Sequence, residues 1–175
     1  YLADTYGRRI KKLSLTGGCI SNASASYSYP HAIAVSSGYV FVGHAGNSIS
    51  TYTQSLGSLG NQSISTSYLN YSWGMSLNPS GTKLIIGDYV SNRLLELNVS
   101  GNQVSVSRVS SGIYSSSNGY FRRPTDAAYD SGGNIYVVDH ENHRLQKLNS
   151  SFSYQAKVGS LSTTSAFYYP YGMHV

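Results

Sequence analysis

One short block recurs along this chain, and a recurring block restricts a fold more than any single motif can. Tyr29-Pro30-His31-Ala32-Ile33-Ala34-Val35 aligns with Tyr71-Ser72-Trp73-Gly74-Met75-Ser76-Leu77 and with Arg123-Pro124-Thr125-Asp126-Ala127-Ala128-Tyr129. The last residues, Tyr169-Pro170-Tyr171-Gly172-Met173-His174-Val175, repeat it again. A second block follows the first three after a Gly turn, from Tyr39 to Gly43, Leu84 to Asp88 and Ile135 to Asp139. A third reads Ile49-Ser50-Thr51-Tyr52, Leu94-Leu95-Glu96-Leu97 and Leu145-Gln146-Lys147-Leu148. Tyr1 to Asp4 and Ile10 to Leu13 are the second and third blocks of a further copy, whose first block is the C-terminal one. Regular recurrence of this kind marks an array of stacked units.

The blocks themselves are strands. Ala32 to Val35, Tyr39 to Val42, Lys83 to Ile86, Val104 to Val106 and Ile135 to Val138 combine a period of two with β-branched and aromatic residues. Turn residues such as Ser80-Gly81 and Gly132-Gly133-Asn134 separate them. No stretch of helical periodicity is found, so the class is all-β. Charged residues make up only 11% of the chain, against a usual quarter. Leu, Ile, Val and Phe total 39 residues, just above the level of a disordered chain, and 17 Tyr supply further core surface. No apolar run approaches the roughly 18 residues of a membrane-spanning helix. A single cysteine, Cys19, excludes an intrachain disulfide framework and a Cys-based zinc cluster. The net charge of +5 comes from scarcity of acids and permits anionic partners without demanding them. The chain opens on Tyr1, without an initiator Met or apolar signal segment, which reads as a mature, processed or excised piece.

The pattern resembles the NHL repeat of β-propellers: a Pro-x-Gly strand, then Tyr-Val-Ala-Asp, then an Asn-x-Arg turn. The clearest copy runs from Pro124 to Leu148, through Ile135-Tyr136-Val137-Val138-Asp139 and Asn142-His143-Arg144. The second copy departs, with His44 and Ser48 where Asp and Arg belong. The resemblance implies a propeller of four blades, each of four antiparallel strands, with one blade shared between the two termini. The blades are expected at about 168–175 plus 1–26, 27–67, 68–119 and 120–167 of one domain. Asp4, Asp88 and Asp139 stand five residues before Arg9, Arg93 and Arg144, so each pair is expected to fix a hairpin rather than to act in catalysis. Joining Val175 to Tyr1 leaves the shared blade about one turn short. Closure on its own ring is favoured; donation of the strand to a neighbour, building a filament, and a fragment of a six-bladed ring are the alternatives.

Blade geometry then places the candidate sites. The second residue of each inner strand, His31, Trp73, Thr125 or Tyr171, is expected beside the central channel, with Asp126 adjacent. Aromatic and polar groups there make a ligand site on which sugars could stack; the plainer reading is that Trp73 and Tyr171 plug the channel. Arg8, Arg122 and Arg123 are expected on the same face, with Tyr6, Tyr120 and Phe121 nearby. Some NHL propellers bind single-stranded RNA on such a face, but charge is sparse here for a phosphate-dominated binder. Others act as zinc or calcium lyases, which depend on channel His and Asp clusters. No nucleophile elbow, His-Glu-x-x-His or phosphate loop is found; Gly57 to Gly60 is too short and lacks the Lys. His140 and His143 read as exposed turn residues rather than a metal pair. Five Asn-x-Ser sequons, at Asn22, Asn61, Asn70, Asn98 and Asn149, tilt the reading outward from the cell. The expectation is therefore a secreted, non-enzymatic propeller without metal or cofactor. Its partners would be another protein, identical subunits or glycans. An RNA- or polyanion-binding propeller and a metal-dependent lyase are the alternatives.

Overall fold

The computed structural model describes residues 1–25, 29–65, 67–161 and 166–175. The expected boundary between the first two blades, at residues 26 and 27, lies outside the described residues. Among the described residues, fifteen strands form four antiparallel sheets. The first holds β1 (Leu2–Asp4), β2 (Arg9–Leu13) and β3 (Cys19–Ser24). The second holds β4 (Pro30–Val35), β5 (Tyr39–His44), β6 (Ser48–Thr53) and β7 (Ser58–Ser63). The third comprises β8 (Ser72–Leu77), β9 (Lys83–Asp88), β10 (Arg93–Ser100) and β11 (Gln103–Val109). The fourth comprises β12 (Pro124–Tyr129), β13 (Ile135–Asp139), β14 (Arg144–Leu148) and β15 (Tyr154–Gly159). Each sheet is an up-and-down meander in sequence order, the topology of propeller blades. The expected inner strand of the first blade, Tyr171–Val175, has no strand conformation and joins no ladder with β1. It lies instead along the fourth sheet, where Thr125 Oγ1 and His140 Nδ1 donate to the Pro170 carbonyl and the Met173 amide donates to Asp126.

Alternation explains why the sheets stack. Within β5, Phe41 turns to the third sheet while Val40 and Val42 turn to the first. Within β9, Leu84 and Ile86 face the second sheet, and Ile85 faces the fourth. Both faces of a middle strand are therefore dry, which is why these segments read as continuous apolar runs. Ile10, Val40, Val42, Tyr52 and Leu56 fill the first junction. Phe41, Ile49, Leu84, Ile86, Leu95 and Leu97 fill the second; Ile85, Leu94, Phe121, Ile135, Val137 and Leu148 fill the third. Sheets approach closely where the sequence supplies glycine: a Cβ on Gly87 would meet the Pro124 carbonyl oxygen at 2.9 Å, and one on Gly74 would collide with Asp126 Oδ1.

The acid–arginine pairs form as the repeat implies. Arg9 Nε lies 2.7 Å from Asp4, Arg93 Nε 3.2 Å from Asp88 and Arg144 Nε 2.7 Å from Asp139. Each hairpin reaches its Arg through a left-handed residue, Arg8, Asn92 or His143. The carboxylates do a second job, binding the loop that leads into the inner strand: Asp88 accepts the Asn70 and Tyr71 amides, and Asp139 accepts that of Arg122. Arg144 is 3% exposed and also donates to the carbonyls of Ser116, Ser117 and Tyr120. Burial pushes the Asp139 carboxyl up in pKa, and the Arg122 amide, Asn142 and Arg144 oppose that. In the second blade, buried His44 bonds Ser50 at 2.7 Å in place of an ion pair.

A second ionic cluster ties the third sheet to the fourth. Glu96 Oε2 accepts from Arg108 Nη2 at 2.8 Å and from the Tyr129 hydroxyl at 2.9 Å. Its Oε1 accepts from Ser107 and lies 3.3 Å from Lys83 Nζ. Arg108 continues to the Ser150 carbonyl and covers the Phe152 ring. Burial works against the Glu96 carboxylate, but the bonds from Arg108, Tyr129 and Ser107 outweigh it and hold its pKa below the ordinary value.

Arg144→Lys cannot reproduce the fork that reaches three carbonyls and Asp139, and should cost about 3 kcal/mol of unfolding free energy. Arg9→Ala, at a half-exposed pair, should cost less than about 1 kcal/mol, both by denaturant titration. Glu96→Gln should cost ~1–3 kcal/mol at neutral pH. Because the folded pKa of Glu96 lies below the unfolded one, its contribution is present above about pH 4.3 and fades as pH falls through the folded value. The gap between wild type and Glu96→Gln should accordingly narrow on acidification.

Candidate functional site

Three inner strands and the C-terminal segment converge on one cavity of about 630 Å³. β4, β8 and β12 each present their second residue near its upper end, and Tyr171 is the counterpart from the segment after Pro170. All five residues expected at the channel, His31, Trp73, Thr125, Asp126 and Tyr171, line it. Thr125 is fully buried, and its hydroxyl is spent on the Pro170 carbonyl, so it positions the segment.

The rings form a continuous array. Trp73 stacks on His31 with centroids 5.2 Å apart, lies 4.9 Å from Tyr89 and faces Tyr171 at 6.1 Å. His140 sits 4.5 Å from Tyr171, and His143 stacks on Tyr168 at 5.2 Å. The Tyr71 hydroxyl and His31 Nε2 share a 2.8 Å hydrogen bond. Burial lowers the His31 pKa, which favours the neutral ring at neutral pH. Tyr71, Tyr89, Tyr168 and Tyr169 were not singled out from the sequence. The repeat held the signal: Tyr71 and Tyr169 occupy the position before the inner strand, and Tyr89 and His140 the position after the acid of the second strand. The two histidines at the fourth hairpin are occupied, His140 Nδ1 by the Pro170 carbonyl and His143 Nδ1 by the Tyr169 amide.

Each of the three arginines of the expected basic face lies over a tyrosine ring, and only that of Arg123, Tyr89, belongs to this array. Arg8 lies over the Tyr29 ring at 4.7 Å, Arg122 over Tyr114 at 4.7 Å and Arg123 over Tyr89 at 5.3 Å. Arg123 also pairs with Glu141 at 3.1 Å. Asp126 Oδ1 accepts the Ala127 amide at 2.9 Å and Oδ2 accepts the Met173 amide at 3.0 Å, while burial pushes its carboxyl up in pKa. Among the described residues no group of three or more His, Cys, Asp or Glu side chains could hold a metal ion. Of the sequon asparagines, Asn22, Asn70 and Asn98 are exposed and Asn61 and Asn149 half-buried; Asn61, Asn98 and Asn149 accept hydrogen bonds through Oδ1, and Asn22 lies on β3.

The NHL repeat model matches residues 121–148, the copy richest in the pattern. No curated protein matches the chain in sequence. Among solved structures, virginiamycin B lyase from Staphylococcus aureus superposes with a TM-score of 0.66 at 17% identity, over 87% of this chain and 49% of that one. Kuenenia stuttgartiensis hydrazine synthase gives 0.66 at 14% identity, over 88% and 44%. The dihydro-heme d1 dehydrogenase NirN gives 0.63 at 12%, over 90% and 34%. The chain thus spans about half or less of the length of these three proteins, and at such identity the likeness concerns the fold alone. With its four meander sheets and its alternating two-sided burial, the chain is a β-propeller, and its residues 121–148 form an NHL repeat.

Proposed function

We propose that this chain is a non-enzymatic binding module of an extracellular protein, with its ligand at the aromatic end of the central channel. The observation that carries this reading is the ring array in which Trp73, Tyr171 and His31 line a cavity large enough for a small ligand, with Tyr89 and His140 packed against those rings. Such rings offer flat apolar faces with polar edges, the surface on which a glycan or an aromatic side chain of a protein partner stacks. The extracellular placement rests on the sequons, of which Asn22, Asn70 and Asn98 are exposed. In its assembly form, the reading has Tyr171–Val175 complete the three-stranded sheet of an identical subunit. Regular filaments in electron micrographs would support that form, and isolated particles would remove it.

A second reading, binding of RNA or another polyanion, is favoured by Arg8, Arg122 and Arg123, each over a tyrosine ring. Salt separates the two. Ligands captured on peptide and glycan arrays should lose at least about tenfold in affinity, ~1.4 kcal/mol, on Trp73→Ala or Tyr171→Ala, with little dependence on salt. Capture indifferent to both substitutions would move the site away from the channel. Affinity that collapses between about 50 and 200 mM salt would instead favour the polyanion.

A further inference from the structure

Seven acidic residues occur in the chain. Six are held in ion pairs: Asp4, Asp88, Glu96, Asp130, Asp139 and Glu141. Asp126 alone has no cation opposite it among the described residues. Its two oxygens accept backbone amides from Ala127 and Met173, which orient the carboxylate but leave its charge uncompensated. It lines the central cavity, and no Lys or Arg shares that lining.

Two glycines give it room. A Cβ on Gly74 would collide with Asp126 Oδ1, and one on Gly172 would lie 3.9 Å from Oδ2. These glycines directly follow Trp73 and Tyr171, whose rings lie 6.1 Å apart and line the same cavity. A partly buried carboxylate and two electron-rich rings therefore line one space. Removing a carboxylate from water is unfavourable until a cation compensates it, and aromatic faces attract cations through the ring quadrupole.

We propose that the central channel binds an organic cation, with an ammonium group held between Asp126 and the rings of Trp73 and Tyr171. The identity follows from what the site supplies. A hard metal ion needs six or more oxygens and gains nothing specific from indole. An ammonium needs one charge opposite and soft faces around it. This assignment rests on the reading of the channel as a ligand site and adds the class of ligand.

Trp73 is the only tryptophan in the chain, so its emission reports on the site. Choline and its uncharged isostere 3,3-dimethylbutan-1-ol should be titrated at constant ionic strength. A capped pentapeptide with a central lysine should be compared in the same way with its norleucine counterpart. The two pairs distinguish a free small amine from a lysine side chain as the source of the ammonium. In at least one pair the charged member should saturate the signal at least about tenfold tighter than the neutral one. Asp126→Asn should reduce that preference to near unity. Equal binding of charged and neutral members in both pairs would overturn the cation assignment while leaving the channel as a ligand site. No response to any of the four would also overturn it, and the array experiment with Trp73→Ala would then decide whether the channel binds anything. The wild-type comparison needs no variant, so a folding defect in Asp126→Asn would not blur the result.

Discussion

Stability in this molecule depends on burying the second strands of its two central sheets, β5 and β9, from both sides. A strand such as Lys83–Asp88 cannot hide Leu84, Ile85 and Ile86 within its own sheet, because alternation sends them to opposite faces. Each face is covered only by the neighbouring sheet, so no single meander is a stable unit. The backbone is then forced close around inner strand β12, which is faced by Gly74 of β8 and Gly87 of β9. The channel is the residue of this packing: a space bounded by the strands that approach most closely without touching.

Ionic groups sharpen the same arrangement. In blades one, three and four, the acid that ends the second strand holds an arginine of its own hairpin, and in the latter two it also holds the loop leading to the inner strand. Glu96 gathers Lys83, Arg108 and Tyr129 and so stitches one sheet to the next. With so few acids in the chain, nearly every one has a structural partner. That economy is what makes Asp126 conspicuous, since its environment offers amides and aromatic rings in place of a cation.

Much of this was legible in the sequence because it is written in repetition. Strand identity, meander topology and the Asp–Arg hairpins all follow from the register of the blocks, as does the placement of His31, Trp73, Thr125, Asp126 and Tyr171 on one cavity. What repetition does not encode is contact between unlike positions. His31 reaches Trp73, and Tyr89 reaches His140, only because neighbouring blades curve together, and no period in the chain expresses that distance. Nor does the block pattern at Tyr171–Val175 produce a strand: those residues match the inner-strand block yet join no ladder, since strand formation needs a partner edge as well as a pattern.

Two-sided burial also sets how perturbations spread. Leu84 and Ile85 are bonded neighbours, yet each belongs to a different apolar cluster and shares no side-chain environment with the other. Phe41 and Leu84 are far apart in sequence but belong to one cluster. Energetic coupling therefore runs across the blades rather than along the chain. Changes at adjacent residues should combine additively, while changes a whole repeat apart interfere. For a lineage accumulating substitutions, the compensating partner of a core change is to be sought one repeat away, and a blade's history is tied less to its own sequence than to that of its neighbours.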